Sequence, residues 1–317
     1  MGPRMLRACR ERRASGPPMD ESRVASRAAR GGCLAYGTAT VYEVPPMSAI
    51  QLTLDTPELA RRYDAVSADR QFKAGRKLVE RLRIGPRERA LDVGAGTGLL
   101  AQYVSERVGP EGFVAGLDPL AYRIDLANAR ATPNLTFRVG TADDLGAFSD
   151  ASFDVVYLNA VFHWLPDQRR ALDEFHRVLK SGGRLGITTG SKDHTNSLQR
   201  VRREVLSREP YSRYPDAQEG VAHRLNAEEL RRLVTESGFE VTAIDLEPNA
   251  ALYPTPAAAI EFSQASSFGN FLSQLPPELR GPARADIERE LERLRTPDGI
   301  RTEGARIFAL ARKPPAA

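Results

Sequence analysis

Arg89-Ala90-Leu91-Asp92-Val93-Gly94-Ala95-Gly96-Thr97-Gly98-Leu99-Leu100 is the stretch on which the reading of this chain turns. Ala90, Leu91 and Val93 are the apolar residues of a short buried strand, and three glycines at alternate positions follow. Leu99, Leu100, Tyr103, Val104 and Val108 then recur with helical spacing. Glycine lets a backbone turn with positive φ and come close to a bound molecule, while the unbonded N–H groups of the next helix point into the same space. A strand, a glycine turn and a helix in this order form a cradle for a small ligand.

Spacing separates the two cofactor classes that use such a turn. The dinucleotide fingerprint is G-x-G-x-x-G, whereas Gly94, Gly96 and Gly98 read G-x-G-x-G with a carboxylate, Asp92, two residues ahead. An acid there faces a pyrophosphate badly and suits a cationic ammonium group, such as that of a methionine moiety. The run Phe113-Val114-Ala115-Gly116-Leu117-Asp118 ends in an acid 20 residues after Gly98. At the tip of the next strand, that acid is placed to accept hydrogen bonds from ribose hydroxyls.

Working outward, strands are expected near 89–93, 113–117, 135–139, 153–158 and 183–189, with helices over 98–107, 120–130 and 167–179 between them. Elements alternating at this length predict right-handed crossovers and a doubly wound α/β fold around a mostly parallel sheet. A ligand then sits at the carboxyl ends of the strands, where Gly94, Asp118, Asp143 and Asn159 all fall.

Three later segments extend the pattern: Val139-Gly140-Thr141-Ala142-Asp143-Asp144-Leu145, Phe153-Asp154-Val155-Val156-Tyr157-Leu158-Asn159 and Val178-Leu179-Lys180-Ser181-Gly182-Gly183-Arg184-Leu185. With the glycine turn they resemble, in order, the motifs of the class I S-adenosylmethionine (SAM) dependent methyltransferases. The resemblance implies a Rossmann-like sheet of seven strands, the last one antiparallel inside the edge. It implies SAM as cofactor, with Gly94, Ala95, Gly96 and Gly98 as the wall around the methionine part and Asp92 toward its ammonium through water. Asp118 would hold the ribose, Leu120 would pack on the adenine, and Ala142 and Asp143 would meet the adenine edge. Many relatives carry Asp where this chain has Thr141, so Thr141 and Asp143 divide that contact in a way the sequence leaves open, and Asn159 completes the cofactor set.

The loop Leu158-Asn159-Ala160-Val161-Phe162-His163-Trp164-Leu165-Pro166-Asp167 leaves the fourth strand at the mouth of the expected pocket. In the resembled family this loop lies beside the sulfonium, which makes His163 the candidate base or acceptor-orienting group and Trp164 a wall of the substrate pocket. The plainer alternative is that Phe162 and Trp164 pack in the core and His163 bonds a carbonyl. Tyr63-Asp64 matches a tyrosine-aspartate pair often found on a helix across the cofactor, so Tyr63 is a second catalytic candidate, with simple packing as its alternative.

The domain layout expected from these readings is a disordered extension over 1–46, rich in Arg, Ala, Ser, Gly and Pro, followed by one methyltransferase domain over 47–317. Met47, after Pro45-Pro46, reads as a natural start. Within the domain, 47–84 form a helical cap, 85–190 the SAM-binding core, 191–225 an irregular lid insertion and 226–317 the C-terminal helices and last strands. The cap contains helices from Thr56 and near 69–82. The last part holds a helix from Asn226, a strand over 239–244, helices near 256–266 and after Pro277, and a final strand over 306–311.

Composition narrows the function. No apolar run reaches the roughly 18 residues needed to cross a bilayer, so no membrane association is expected and a cytoplasmic location is. The net charge of +4 is accounted for by the eight arginines and four acids of residues 1–46, which leaves the remainder balanced and argues against a nucleic-acid partner. Asn159 is followed by Ala160-Val161-Phe162 and not by the Pro-Pro-Tyr of amino-group nucleic-acid methyltransferases. Both cysteines, Cys9 and Cys33, lie in the extension, so the domain has no thiol for a disulfide, a cysteine-zinc site, a pyrimidine-attacking nucleophile or an arsenic ligand. No metal site is expected. The order of elements resembles the small-molecule group that includes trans-aconitate methyltransferase and the ubiquinone and menaquinone methyltransferases. Methyl transfer to an oxygen of a metabolite is therefore the expected activity; C-methylation of the quinone type and a non-catalytic SAM-binding regulator are the alternatives. Nothing in the sequence sets the oligomeric state.

Overall fold

A computed structural model describes residues 56–219, 222–265 and 269–315; the expected extension over 1–46 lies outside them. Helix α1 (Pro57–Tyr63) begins as its sequence dictates, with Pro57 in the first turn and the Thr56 hydroxyl accepting from the Leu59 N–H at 3.1 Å. It runs through a π-helical stretch, Asp64–Ala68, into α2 (Asp69–Leu82). Then β1 (Arg89–Val93), α3 (Leu99–Val108), β2 (Phe113–Asp118), α4 (Ala121–Asn128), β3 (Leu135–Val139), β4 (Phe153–Asn159), α5 (Gln168–Val178) and β5 (Leu179–Gly190) follow in the expected alternation.

The second half contains α6 (Ser197–Leu206), α7 (Pro215–Glu219), α8 (Ala227–Glu236), β6 (Glu240–Tyr253), α9 (Pro256–Gln264), α10 (Pro277–Glu292), β7 (Arg295–Thr296) and β8 (Gly299–Arg312). The sheet order is β3-β2-β1-β4-β5-β8-β6, with the two-residue β7 pairing β8 as an eighth strand. Strands β1 to β5 are parallel, and β8 runs antiparallel between β5 and β6 as expected. Strand order reverses between β1 and β4, which opens a crevice at their carboxyl ends. Because helices cover both faces, Leu91, Val114 and Val156 in adjacent parallel strands are fully buried.

Three expectations change. Residues 191–225 are not irregular: α6 lies within them, capped by Asn196 with Gln199 reaching back, and it buries Leu198, Val205 and Leu206. The density of Arg200, Arg202 and Arg203 hides that apolar face, although N-x-x-Q is a legible capping box. Strands β6 and β8 are also more than twice as long as expected. Asp245, Glu247, Pro248 and Asn249 disfavour a strand, yet β6 is the sheet edge, where a missing N–H and outward charges are tolerated. Finally, the Glu and Arg at three- and four-residue spacing toward the end of α10 suit a solvated face, yet Ile287, Glu290 and Leu291 there are buried. The far ends of β6 and β8 carry a separate apolar cluster, in which Tyr253 and Ile300 pack with Leu206, Ile260, Phe271 and Ile287. That small helical body stands over the crevice. No helix among the described residues is long and apolar enough to cross a membrane.

Candidate active site

A cavity of about 650 Å³ occupies the crevice. On one side it is lined by Gly94, Asp118, Ala142 and Asn159 from the ends and following loops of β1 to β4, and on the other by His163, Arg202, Arg224 and Arg306.

The glycine turn behaves as its spacing requires. Gly94 has φ +75, and a Cβ built there would stand 2.3 Å from the Val161 side chain, so glycine is needed for both conformation and space. The turn is held from beneath by Asp118, whose Oδ2 accepts from the Gly96 N–H at 3.0 Å while Oδ1 accepts from the Leu120 N–H at 3.0 Å. The same carboxylate lines the cavity. Asp92 is 2 % exposed, and its Oδ2 has no hydrogen-bond partner among the described residues. Burial pushes its carboxyl up to about 7; the neighbouring Tyr157 hydroxyl opposes the rise and the Asp118 carboxylate adds to it. The Tyr157 hydroxyl is itself buried with no partner. Two carboxylates under a glycine turn, one of them with an orphaned oxygen, fit a cationic ligand group.

The cap helix closes over this turn. Tyr63 lies against Gly96, the Asp64 carboxylate accepts from the Thr97 hydroxyl at 2.6 Å, and the Arg123 guanidinium stacks 3.9 Å from the Tyr63 ring centre. Burial raises the Tyr63 hydroxyl, opposed by Arg123 and aided by the nearby carboxylates, so it is a poor proton acceptor. Of the other sequence candidates, Thr141, Ala142, Asp143 and Trp164 line the cavity. Asp92, Ala95, Gly96, Gly98 and Leu120 do not; Leu120 is fully buried, and Pro119 stands on the wall in its neighbourhood. Asn159 is on the wall, but its amide also ties the fold together, donating to the Gln71 carbonyl at 2.8 Å and accepting from the Thr188 hydroxyl at 2.8 Å.

His163 sits in a short 3₁₀ turn, Phe162–Trp164, with Nδ1 3.0 Å from the Thr189 hydroxyl and its ring 4.6 Å from that of Trp164. Its carbonyl accepts from the His223 N–H at 2.7 Å, which fastens 222–225 to this loop. Burial drives the imidazole well below its ordinary value, and the Arg224 and Arg306 cations lower it further. The ring is therefore neutral at pH 7. It suits accepting or relaying a hydrogen bond better than holding a proton. His176 packs edge-on against Phe239 away from the cavity wall.

Sequence reading missed Thr189, Arg202, Arg224 and Arg306. Capping by Asn196 was the one signal that could have placed Arg202 on an ordered helix; the others reach the site through strand pairing and loop closure.

Comparison with known proteins agrees with this geometry. Residues 91–187 match the Methyltransferase domain family. The chain is 27% identical over 212 residues to an arsenite methyltransferase of Halobacterium salinarum, covering 64% of this chain and 49% of that protein, so it spans about half the length of that relative. It is 26% identical over 269 residues to a trans-aconitate 2-methyltransferase of Variovorax paradoxus, covering 81% of this chain and 95% of the relative. Among solved structures, the YcgJ protein of Bacillus subtilis shares the fold with a TM-score of 0.53 at 18% identity, covering 77% of this chain and 99% of that one. With the motifs in order, the sheet reversal at β1 and β4 and the matched domain, residues 91–187 carry a methyltransferase domain and the chain is similar to the class I SAM-dependent methyltransferases.

Proposed function

We propose that the protein binds SAM against Asp92, the glycine turn and Asp118, and transfers its methyl group to an oxygen of a small metabolite held beside His163. The observation that carries this reading is the pair of buried carboxylates under Gly94–Gly98: Asp118 lines a cavity large enough for two small molecules, and Asp92, off that wall, has an oxygen unpartnered among the described residues. SAM supplies an activated methyl on a sulfonium, and displacement there loses charge instead of creating it. What this chain contributes is positioning, which can supply roughly 7 to 11 kcal/mol in favourable cases. Asp118 orients the ribose, Ala142 and Asp143 face the adenine edge, and Asp92 answers the ammonium. His163, fixed through Nδ1 by Thr189, presents its other nitrogen to the acceptor oxygen, while Trp164 and Val161 keep water from the reacting atoms.

The trans-aconitate enzyme named above supports an oxygen acceptor. An arsenic acceptor has no support from this chain, because residues 47–317 contain no cysteine. Balanced charge over the same residues favours a small acceptor over a polyanion such as nucleic acid. Titration calorimetry with SAM, followed by methyl-transfer assays on a panel of hydroxy and carboxylic acids, tests the reading. SAM binding in the low micromolar range and turnover on at least one acid are expected. Binding without turnover on any metabolite class would favour a non-catalytic SAM-binding regulator, and absence of binding would end the proposal.

A further inference from the structure

The half of the cavity opposite Asp118 holds a cation, Arg306, that no group among the described residues neutralises. Arg306 opens the part of β8 that pairs with β5, opposite Gly190, and its side chain lines the cavity. Glu247 faces it in register on β6, but that carboxylate is bound by Lys77 and Arg81 of α2. Among the described residues the Arg306 guanidinium has neither an ion pair nor a hydrogen bond. The charge acting on it is another cation, Arg70, which donates to the Tyr253 hydroxyl. Arg306 is half-buried by exposure, yet enough atoms surround its guanidinium that desolvation, with Arg70, lowers it to about 10.

Two further arginines face the same space. Arg224 lies along Gly190, its Nε 3.6 Å from where a Cβ on that glycine would stand, which places it beside the register partner of Arg306. Arg202, 9 % exposed on α6, stacks 5.2 Å from the Phe271 ring centre. Both line the cavity. Holding the Arg306 guanidinium desolvated at this wall, with no ion pair among the described residues, is unfavourable unless an anion joins it, and Arg224 and Arg202 add positive potential there. Arginine's planar fork suits carboxylate and phosphate oxygens in bidentate contact.

We propose that Arg306, with Arg224 and Arg202, is an anion subsite for the methyl acceptor, which therefore carries a carboxylate or phosphate group besides the atom that is methylated. This rests on the methyltransferase reading and narrows its substrate class. The subsite lies beyond His163 from the glycine turn, so the anion anchors the far end of the acceptor and leaves its reacting oxygen near the histidine. Anchoring of this kind turns remote binding energy into orientation at the reacting atoms.

The probes are tricarballylate and glycerol 3-phosphate, with neutral triethyl tricarballylate as control, titrated against the full chain by melting temperature with and without S-adenosylhomocysteine. At least one anion is expected to raise the melting temperature of the parent where the triester does not, and the anion that acts tells carboxylate from phosphate. Arg306→Gln should weaken that anion's binding roughly tenfold or more while leaving S-adenosylhomocysteine affinity within about twofold. Arg306→Lys, which keeps the charge, should retain part of the response, and this separates lost recognition from a damaged fold. An equal anion response in Arg306→Gln and parent overturns the subsite, as does no response to either anion. A tenfold loss of S-adenosylhomocysteine affinity in Arg306→Gln also overturns it, because the arginine would then hold the carboxylate of the cofactor. Failure of the parent to bind S-adenosylhomocysteine breaks the methyltransferase reading instead, and the titration without it still tests the subsite by itself.

Discussion

The two halves of the cavity differ in their balance of charge and come from different parts of the chain. One half is built from residues 92 to 143, where three consecutive parallel strands each deliver a short motif to the same edge. Its wall carries the carboxylates Asp118 and Asp143 together with the Arg123 guanidinium, and Asp92 is buried off that wall. The other half draws His163 from the loop after β4, Thr189 from β5, Arg202 from α6, Arg224 from the segment before α8 and Arg306 from β8. Its wall carries three guanidinium groups against one carboxylate, Asp167, from the loop after β4. A cationic methyl donor and an anionic acceptor would each meet its complement, and the difference explains why a chain balanced in charge beyond residue 46 still holds strong local fields.

Substitutions in each half should therefore separate donor binding from acceptor handling. The largest effect is expected at the seam between them. His163→Ala should lower turnover about 10²-fold by misplacing the acceptor, with SAM affinity kept. Because burial and the two arginines hold the imidazole neutral, the parent rate should show no titration near the ordinary histidine value of 6.5. A rate that falls with protonation near 6.5 would mean that His163 is exposed to solvent and outside the influence of the arginine half.

Gly94→Ala attacks the carboxylate half through its backbone. With φ +75 and Val161 at 2.3 Å, the added methyl should cost about 2 kcal/mol of stability and open the turn, readable by denaturant unfolding together with SAM titration. Unchanged stability would mean that the turn relaxes freely and is no rigid cradle. Asp118→Ala removes the brace on Gly96 and the ribose acceptor together. SAM affinity should fall at least about tenfold, given roughly 1.5 to 3 kcal/mol for a charge-assisted hydrogen bond. A variant that binds SAM like the parent would place the cofactor elsewhere in the cavity.

The smallest effect sharpens the picture of Asp92. Between the ordinary 3.8 and about 7, the folded protein keeps a proton on Asp92 that the unfolded chain has released. Stability therefore falls as pH rises through that window, and Asp92→Asn should flatten the slope. A cationic ammonium beside Asp92 would favour its ionised form, so SAM binding near pH 6 should release a proton. Calorimetry in buffers of different ionisation enthalpy reads that proton directly. No release would remove Asp92 from contact with the donor.

The same contrast decides what could be read in advance. In the carboxylate half each motif is contiguous, its apolar alternation sets the strand and its glycines or acids fall at the strand tip, so the parallel strands and the residues at their tips were legible almost to their ends. Yet contiguity did not show which groups face the ligand. Leu120 is buried, Tyr63 lies on Gly96, and Asn159 divides its amide between Gln71 and Thr188. Helix α6 was hidden by its arginines, and the far ends of β6 and β8 by residues that only an edge strand and its partner tolerate.

By itself, the sequence determined a doubly wound sheet, the glycine turn, the acids beside it and the absence of thiols from 47–317, because local periodicity and backbone chemistry act over a few residues. Tertiary structure alone decided that Arg306 meets Gly190 and Arg224, that Thr189 fixes His163, and that Glu247 is taken by α2 and unavailable to Arg306. Those encounters are set by the register of antiparallel strands and by which neighbour claims a charge first. No spacing along the chain encodes either one.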